Sequence, residues 1–227
     1  MEKVVISLGG SIIIPDDRDG AFLNEFASLL RSLSKNLDIY VVCGGGKIAR
    51  YYIVTGRELS ATEDQLDELG IEVTRLNARL LQLALGPLAF DHVPQTVGGA
   101  ASQGKRGKVA VMGGTTPGHT TDGVSAALAE RVGACRIVNA TSVDGVYSAD
   151  PRKVKDCVKY DHLTFQQLDD MMHKGKHGAG SSHIFDPLGA AIVKRCRIPI
   201  LVVDGRDLKE MRAAILGQKI KGTVIEG

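Results

Sequence analysis

Three consecutive glycines separate an apolar run from two cations in VVCGGGKIAR, residues 41–50. Backbone N–H groups at such a strand end, where a helix begins, can bind phosphate oxygens. Lys47 and Arg50 stand where the helix dipole disfavours positive charge, which suggests that an anion binds there. A Walker A loop is excluded, because that motif needs glycine in place of Val41 and serine or threonine in place of Ile48. The stretch therefore predicts either a phosphate-binding turn or a plain glycine turn with exposed cations.

A second glycine pair follows the first apolar run, in LGGS, Leu8 to Ser11. Because Gly9 and Gly10 have no Cβ atom, their backbone can approach a ligand closely. Successive amides in such a turn can also form an anion-binding nest. An ordinary strand-to-loop turn has the same pattern, so both interpretations remain open.

Hydroxyl groups are concentrated in GGTTPGHTTD, residues 113–122. Thr121 or Asp122 is predicted to cap the helix that follows. His119 is interpreted as a structural residue of the loop and not as a metal ligand. Capping does not explain the whole loop, so we also expect donors to a phosphate or a sugar, from Thr115, Thr116, Thr120 and Thr121.

The stretch TSVDGVYSADP, residues 141–151, combines a turn signal with an aromatic residue and carboxylates. Asp144 and Gly145 form an Asp-Gly pair, which predicts a hairpin turn. Tyr147 either stacks on a base or packs in the core, and core packing is the commoner outcome. Asp144 and Asp150 are candidates for binding a sugar or for stabilising the turn.

These stretches must be positioned by regular elements, and short apolar runs alternate with helical patterns along the chain. Strands are predicted at 3–8, 38–43, 108–113, 135–141 and 198–204. Helices are predicted at about 20–36, 47–56, 62–85, 121–132, 164–174, 186–197 and 207–217. Strands that are apolar on both faces and alternate with helices predict βαβ units. The expected fold class is therefore α/β, with a mainly parallel central sheet sandwiched between helices.

All four chemical stretches follow predicted strands. In an open α/β sheet, ligands bind beyond the carboxyl ends of the strands. We therefore expect the four stretches to meet along one edge of the sheet.

Two other segments carry separate predictions. Residues 153–187 interrupt the alternation and are expected to form a hairpin, a helix and a loop. The helix at 62–85 has an apolar stripe at helical spacing, which is ordinarily packed on the sheet of its own subunit. The members of this stripe are Leu66, Leu69, Val73, Leu76, Leu80 and Leu83.

The composition of the 227-residue chain argues against several classes of function. The net charge is +2, aromatic residues are 4% and tryptophan is absent, which argues against a nucleic-acid partner. The four cysteines are widely spaced, as in a cytosolic protein with reduced thiols, and neither they nor the six histidines predict a protein-bound metal. No apolar run approaches the roughly 20 residues of a membrane span, and the first residues do not resemble a signal peptide. We therefore expect a cytoplasmic protein with small-molecule ligands.

The four stretches, in this order, resemble the amino acid kinase family and, within it, the archaeal-type uridylate kinases. GIEVTRLNARLL (70–81) and GAGSSHIFDPLGA (178–190) resemble the same enzymes, so the similarity covers nearly the whole chain. The resemblance implies one domain, 1–227, with an acceptor-binding lobe at about 1–133 and an ATP-binding lobe at about 134–227. It implies transfer of the γ-phosphate of ATP to UMP in pyrimidine nucleotide biosynthesis, with Mg²⁺ bound together with ATP.

The resemblance also implies the residues of the site. Lys47 and Asp122 are the implied catalytic residues, with Asp122 ordering the charged groups at the reaction centre. The implied ATP contacts are Ser7, Leu8, Gly9, Gly10, Ser11, Gly46, Arg50, Thr141, Ser142, Tyr147 and Asp150. The implied UMP contacts are Gly45, Asp67, Thr115, Thr116, Pro117, Gly118, His119, Thr120 and Thr121.

Two positions depart from the family pattern. Bacterial uridylate kinases carry a lysine where this chain has Ser7, and the archaeal-type relatives lack it too. Lys47, Mg²⁺ and backbone amides are then expected to stabilise the transferring phosphoryl group. Ser142 stands where close relatives have asparagine. No general base is expected, because the phosphate of UMP is already an anionic nucleophile.

The resemblance further implies a homo-hexamer, a trimer of dimers in which the helix at 62–85 takes part in the dimer contact. Two alternative functions remain open. One is isopentenyl phosphate kinase, although the histidine that such enzymes carry near the second glycine-rich loop is absent from GGGKIARYY, residues 44–52. The other is a non-catalytic oxyanion-storage protein of the same fold.

Overall fold

A mostly parallel sheet of seven strands runs through the middle of the molecule. The computed structural model describes residues 1–15, 20–174 and 185–227, with the backbone alone at 173 and 174. The strands are β1 (Lys3–Leu8), β2 (Asp38–Cys43), β3 (Val109–Met112), β4 (Arg136–Thr141), β5 (Val146–Tyr147), β6 (Lys159–Tyr160), β7 (His162–Leu163), β8 (Ile200–Asp204) and β9 (Thr223–Ile225).

The strand order is β3-β2-β1-β4-β8-β9-β7, and β5 and β6 form a separate antiparallel pair. Strands β1, β2, β3, β4 and β8 are parallel, whereas β9 is antiparallel to β8 and parallel to β7. In this register Leu8 lies beside Cys43 on one side and Ala140 on the other. The carboxyl ends of the central strands therefore meet at one edge.

Helices cover both faces of the sheet. They are α1 (Gly10–Ile13), α2 (Gly20–Leu33), α3 (Gly46–Glu58), α4 (Glu63–Leu85), α5 (Val97–Ser102), α6 (Thr121–Val132), α7 (Phe165–Lys174), α8 (Pro187–Cys196) and α9 (Leu208–Ile215). On one face, α2, α4 and α9 bury a core that includes Phe26, Leu81 and Met211. On the other, α5 to α8 bury a second core that includes Leu128 and Phe185.

The predicted α/β fold and the predicted strands and helices are confirmed, with shifts of a few residues at their ends. The sequence pattern did not reveal α1, α5 or the short strands, because four to six residues or fewer are too few to establish a period. Within the irregular segment 153–187, β6, β7 and the predicted helix α7 are present, and residues 175–184 lie outside the described ranges. Because β6 pairs with β5 and β7 pairs with β9, no hairpin forms among the described residues of this segment, and that prediction is wrong. The boundary between the two lobes stays a prediction.

The hairpin predicted at Asp144 and Gly145 is wrong. Strand β4 is hydrogen-bonded to β1 along one side and to β8 along the other, so no side is left for a strand that folds straight back. The chain leaves the sheet instead, and β5 pairs with β6, where Tyr147 lies beside Lys159.

The prediction that the leucine stripe of α4 packs on its own sheet is wrong for most of its members. Leu66 and Val73 are buried, whereas Leu76 and Leu83 keep 65% and 66% of their surface exposed. Leu69 and Leu80 are also exposed. The inward face mixes apolar with polar residues because it packs against strand-end loops as well as the sheet: Ile71, Thr74, Asn77, Ala78, Leu81, Gln82 and Leu85.

Candidate active site

Two glycine-rich loops lie side by side at the carboxyl edge of the sheet: the first follows β1 (residues 8–11) and the second follows β2 (residues 43–46). The parallel pairing of β1 with β2 brings their ends together, and the N–H of Gly44 donates to the carbonyl of Leu8 over 2.8 Å. Helix α1 follows Gly9 and helix α3 follows Gly45, so both loops open a helix. The predicted meeting of these two loops is confirmed.

The amino end of α3 is the cationic part of this edge. Its first turn contains no acidic residue, and both Lys47 and Arg50 are exposed. Backbone amides, a helix dipole and these cations all favour an anion at this place.

Side chains of helix α4 bind the backbone of the threonine-rich loop, residues 113–122. The hydroxyl of Thr74 accepts a 2.6 Å hydrogen bond from the N–H of Gly114. The guanidinium of Arg75 donates to the carbonyls of Gly114 and Thr115, over 3.3 and 3.2 Å. Three bonds from one helix therefore fix where the loop leaves β3.

The far end of the same loop is held by Asp67. Its carboxylate accepts a 2.6 Å hydrogen bond from the N–H of Gly118, which has a positive φ of 81°. The second carboxylate oxygen is left to accept from a ligand. The side chains of Thr116 and His119, on either side of Gly118 in the chain, lie 3.3 Å apart at hydrogen-bonding atoms.

The residue that caps α6 is Thr120, so the prediction of Thr121 or Asp122 as the cap is wrong. The hydroxyl of Thr120 accepts from the N–H of Gly123 over 3.3 Å and donates to Asp186 Oδ2. Because its single proton goes to Asp186, this hydroxyl is not available as a donor to a ligand, unlike what the sequence suggested. The geometry requires Thr120 as the cap because its backbone is extended while the helix begins at Thr121.

Asp122 lies beneath the first glycine-rich loop, next to the end of β1. The buried hydroxyl of Ser7 donates to Asp122 Oδ1 over 2.9 Å. Burial, with a smaller contribution from the nearby charge of Asp186, raises the pKa of Asp122 to about 7, although the hydrogen bond from Ser7 opposes the rise. A carboxyl group with such a pKa changes its charge near neutral pH and is typical of a functional site.

A cavity of about 330 Å³ opens between α3, α4 and the threonine-rich loop. Of the residues predicted to bind UMP, seven line it, whereas Thr115 and Pro117 lie outside its described lining. Thr115 instead presents its carbonyl to Arg75. The lining residues are Gly45, Gly46, Ala49, Ile53, Asp67, Gly70, Ile71, Thr74, Gly114, Thr116, Gly118, His119, Thr120 and Thr121.

The residues predicted at the ATP nucleoside lie beyond β4 and engage their own loop. The hydroxyl of Thr141 donates to the carbonyl of Val143 over 2.8 Å, and Ser142 is exposed. Tyr147 is half-buried and donates to Asp144 over 2.6 Å, a bond that raises the pKa of Tyr147 to about 12.

Asp150 has the turn-stabilising role among the two that the sequence left open. Its carboxylate accepts from the backbone N–H and the Nε–H of Arg152, at 3.0 and 3.1 Å. The guanidinium holds the pKa of Asp150 below its usual range.

Sequence reasoning missed three residues that support the site, Thr74, Asn77 and Asp186. The amide of Asn77 donates to the carbonyl of Gly44 over 2.8 Å, and so holds the second glycine-rich loop. A signal was available for Thr74 and Asn77, because both are polar residues on the buried face of an amphipathic helix. Asp186 had no local signal beyond the Asp-Pro pair that begins α8.

Across residues 1–15, 20–174 and 185–227, no group of three or more histidine, cysteine or acidic side chains is arranged to hold a metal ion. In the same ranges, every helix is too short or too polar to cross a bilayer.

Comparison with known proteins agrees with this geometry. The amino acid kinase family matches residues 2–204. A uridylate kinase of Methanoculleus marisnigri is 44% identical over 99% of this chain and 96% of its own length. A uridylate kinase of Methanocaldococcus jannaschii is 41% identical over 99% of this chain and 100% of its own.

Solved structures give the same result. The crystal structure of uridylate kinase from Archaeoglobus fulgidus has a TM-score of 0.87 and 43% identity, over 99% of this chain and all of that one. A UMP kinase of Bacillus anthracis shares the fold, with a TM-score of 0.78 over 99% of this chain and 96% of that one, at 20% identity. The chain therefore belongs to the amino acid kinase family, and within that family to the uridylate kinases.

Proposed function

We propose that this protein transfers the γ-phosphate of ATP to UMP and releases UDP and ADP, a step of pyrimidine nucleotide biosynthesis. The observation that carries the proposal is the contact between the two glycine-rich loops, beside a cavity that is lined by a carboxylate and by hydroxyl groups. One loop follows β1 and one follows β2, so two phosphates bound to them would face each other. The high identity to uridylate kinases along the whole chain supports UMP as the acceptor.

The reaction needs position and charge stabilisation more than a protein nucleophile. The phosphate of UMP attacks the γ-phosphorus of ATP, a bond to that phosphorus forms, and the bond to the β-γ bridging oxygen breaks. Both reactants are anionic and repel each other. The amides of Gly9, Gly10, Gly45 and Gly46, with the cations Lys47 and Arg50, are placed to offset that repulsion.

The cavity fits a nucleoside monophosphate by its two kinds of lining. Ala49, Ile53 and Ile71 supply apolar surface for a base, and Asp67 supplies a carboxylate oxygen for a ribose hydroxyl. Thr116 and Thr121 add threonine side chains to the polar part of the lining. ATP would bind on the other side of the phosphates, along the loop from Thr141 to Asp150.

Asp122 has the position of an organiser of the reaction centre. It accepts a hydrogen bond from Ser7 near the end of β1 and lies in the first turn of α6. It therefore connects the first glycine-rich loop, proposed to bind the phosphate donor, with the threonine-rich loop, proposed to bind the acceptor. In its charged form it would orient cationic groups that arrive with the substrates. Its raised pKa implies that this charge is present above about pH 7.

Mg²⁺ is proposed to bind together with ATP. The described residues offer carboxylates singly or in a pair and no cage of three, which suits an ion held mainly by phosphate oxygens and water. Such an ion would supply charge neutralisation at the phosphates. The described cysteines are all free thiols, which supports a reducing compartment such as the cytoplasm.

The activity can be tested by a coupled assay for ADP with ATP as donor. UMP, CMP and isopentenyl phosphate are compared as acceptors at equal concentration, and molybdate retention is measured in parallel. Turnover with UMP well above the other two acceptors supports the proposal. Preferred turnover of isopentenyl phosphate, or oxyanion retention without UMP turnover, would instead favour one of the two alternatives.

We also propose that the exposed leucines of α4 lie in a subunit interface of a homo-hexamer. Leu76 and Leu83 are exposed apolar side chains in one chain, as are Tyr51 and Val54 of helix α3, which packs beside α4. Exposed large apolar side chains concentrated on neighbouring helices favour an interaction site. Helix α4 also binds the threonine-rich loop. The same helix would therefore take part in the subunit contact and in the geometry of the site.

A further inference from the structure

Asp186 is a nearly buried carboxylate that belongs to neither of the two nucleotide-binding loops. It keeps only 9% of its surface exposed and stands just before α8, in the carboxyl-terminal part of the chain. Its Oδ1 accepts a 2.7 Å hydrogen bond from the N–H of Gly189, so it caps α8. Its Oδ2 accepts the hydroxyl proton of Thr120, 66 residues earlier in the chain.

The hydrogen bond between Thr120 and Asp186 joins the threonine-rich loop to α8, which lies much later in the chain. Thr120 ends the threonine-rich loop and caps α6, whose first residues include Asp122. Gly123 leaves room for the carboxylate of Asp186, because a Cβ atom on Gly123 would lie 2.8 Å from Asp186 Oδ2. The place where the loop becomes a helix is therefore determined by Asp186 as well as by α4.

Both oxygens of the Asp186 carboxylate are acceptors, one from the N–H of Gly189 and one from the hydroxyl of Thr120. An asparagine amide has only one acceptor oxygen, so it could not cap α8 and hold the hydroxyl proton of Thr120 with separate oxygens. Asp122 is close to this carboxylate, and the charge of Asp186 raises the pKa of Asp122. A plain helix cap would not need this arrangement, because asparagine and serine cap helices about as well as aspartate.

We propose that Asp186 is a positioning residue for the acceptor, which acts through Thr120 to set the threonine-rich loop for UMP binding. The inference rests on the proposed function, because UMP is the acceptor whose binding it explains. Asp186 does not touch the substrate in this account. Its contribution is to keep the hydroxyl of Thr120 turned away from the cavity and the loop amides turned toward it.

The test compares Asp186→Asn with Asp207→Asn, and UMP and ATP affinities are measured separately by calorimetry. Asp207 caps α9 through the N–H groups of Lys209 and Glu210, so its variant is a matched loss of charge at a helix cap away from the cavity. In Asp186→Asn the amide oxygen still caps α8, and the acceptor for Thr120 is replaced by a donor. We expect the Kd for UMP to rise about 10-fold, as for loss of a hydrogen bond to a charged group, and the Kd for ATP to change less than about 2-fold.

Two further variants separate the proposed role from a general loss of stability. Thr120→Val should weaken UMP binding at least as much as Asp186→Asn, and Thr120→Ser, which keeps the hydroxyl, should recover most of the affinity that Thr120→Val loses. The double variant Asp186→Asn, Thr120→Val should add less than about 2-fold to Thr120→Val, because the bond between the two side chains is already absent in Thr120→Val.

Two results would overturn the inference. One is wild-type affinity of Asp186→Asn for UMP, and the other is an equal weakening of UMP and ATP. If the wild type binds and turns over UMP while either result is found, the proposed function stands and the inference falls. If the wild-type protein does not bind UMP, both fall together.

Discussion

A Cβ atom on Gly10 would lie 2.1 Å from the backbone nitrogen of Gly46. The same atom would lie 2.4 Å from the carbonyl carbon of Gly45. Both neighbours are backbone atoms, so no change of rotamer can relieve the overlap. The two glycine-rich loops are therefore in direct contact. We expect this contact to set the separation of the two phosphates that we propose to react.

Gly10→Ala should abolish activity by separating these loops. We expect kcat/KM for UMP to fall by at least about 100-fold, because reacting groups displaced by about 1 Å lose that much. Steady-state kinetics and a thermal unfolding curve measure the effect. Gly98→Ala is the control, since nothing lies within 4 Å of its Cβ position in α5, and it should keep full activity. Wild-type kinetics in Gly10→Ala would contradict the proposed role of the contact between the two glycine-rich loops.

Lys47→Ala should lower kcat with little change in protein stability. Loss of one charge-stabilising group at a reaction centre typically lowers the rate about 100- to 1000-fold. Lys35→Ala is a matched control, because Lys35 is also an exposed lysine but precedes β2 at the opposite edge of the sheet. A kcat for Lys47→Ala within about 2-fold of the wild type would place Lys47 outside the reaction centre.

Asp122→Asn should change the pH dependence of stability. The pKa of Asp122 is about 7 in the folded protein and about 3.9 when unfolded, so only the folded state holds this proton between those values. The free energy of unfolding of the wild type therefore loses this contribution as pH rises from about 4 to 7, and asparagine has no such loss. Urea unfolding at pH 4.5, 6 and 7.5 should show the variant gaining relative to the wild type, on the order of a few kcal/mol.

The same variant tests the catalytic role of Asp122 independently. Its kcat should be low at every pH, because the carboxylate that orders the charged groups is absent. A stability difference that stays constant across the three pH values would show that the pKa of Asp122 is not raised.

Leu76→Glu combined with Leu83→Glu should dissociate the proposed hexamer. Both side chains are about two-thirds exposed in one chain, so charges there should leave the fold of the subunit intact but prevent apolar association. Light scattering on both proteins gives the mass. Val158→Glu, at a residue of similar exposure beside β6, should keep the wild-type mass. A wild-type protein of monomer mass would refute the interface itself.

The elements and the location of the site could be predicted from local pattern. Apolar runs such as 38–43 and helical periods such as 20–36 are properties of neighbouring residues, and they are confirmed as β2 and α2. Glycines after β1 and β2 met at one edge because parallel strands always align their carboxyl ends. The identity of the family also lay in contiguous stretches of the chain.

The orientation of α4 could not be predicted in this way. A helical period shows that one face is apolar, but it does not show whether that face meets the sheet or a partner. The leucine stripe is largely outside, and the inner face carries Thr74 and Asn77 because strand-end loops with backbone N–H and C=O groups pack there.

The sequence by itself thus determined the elements, their order and the edge where ligands bind, since each of these follows from residues close together in the chain. Only the tertiary structure decided that Thr120 gives its proton to Asp186, that β4 excludes a hairpin at Asp144, and that Ser7 meets Asp122. These relationships join residues far apart in the chain. Their distances depend on how helices and strands pack, which no local pattern contains.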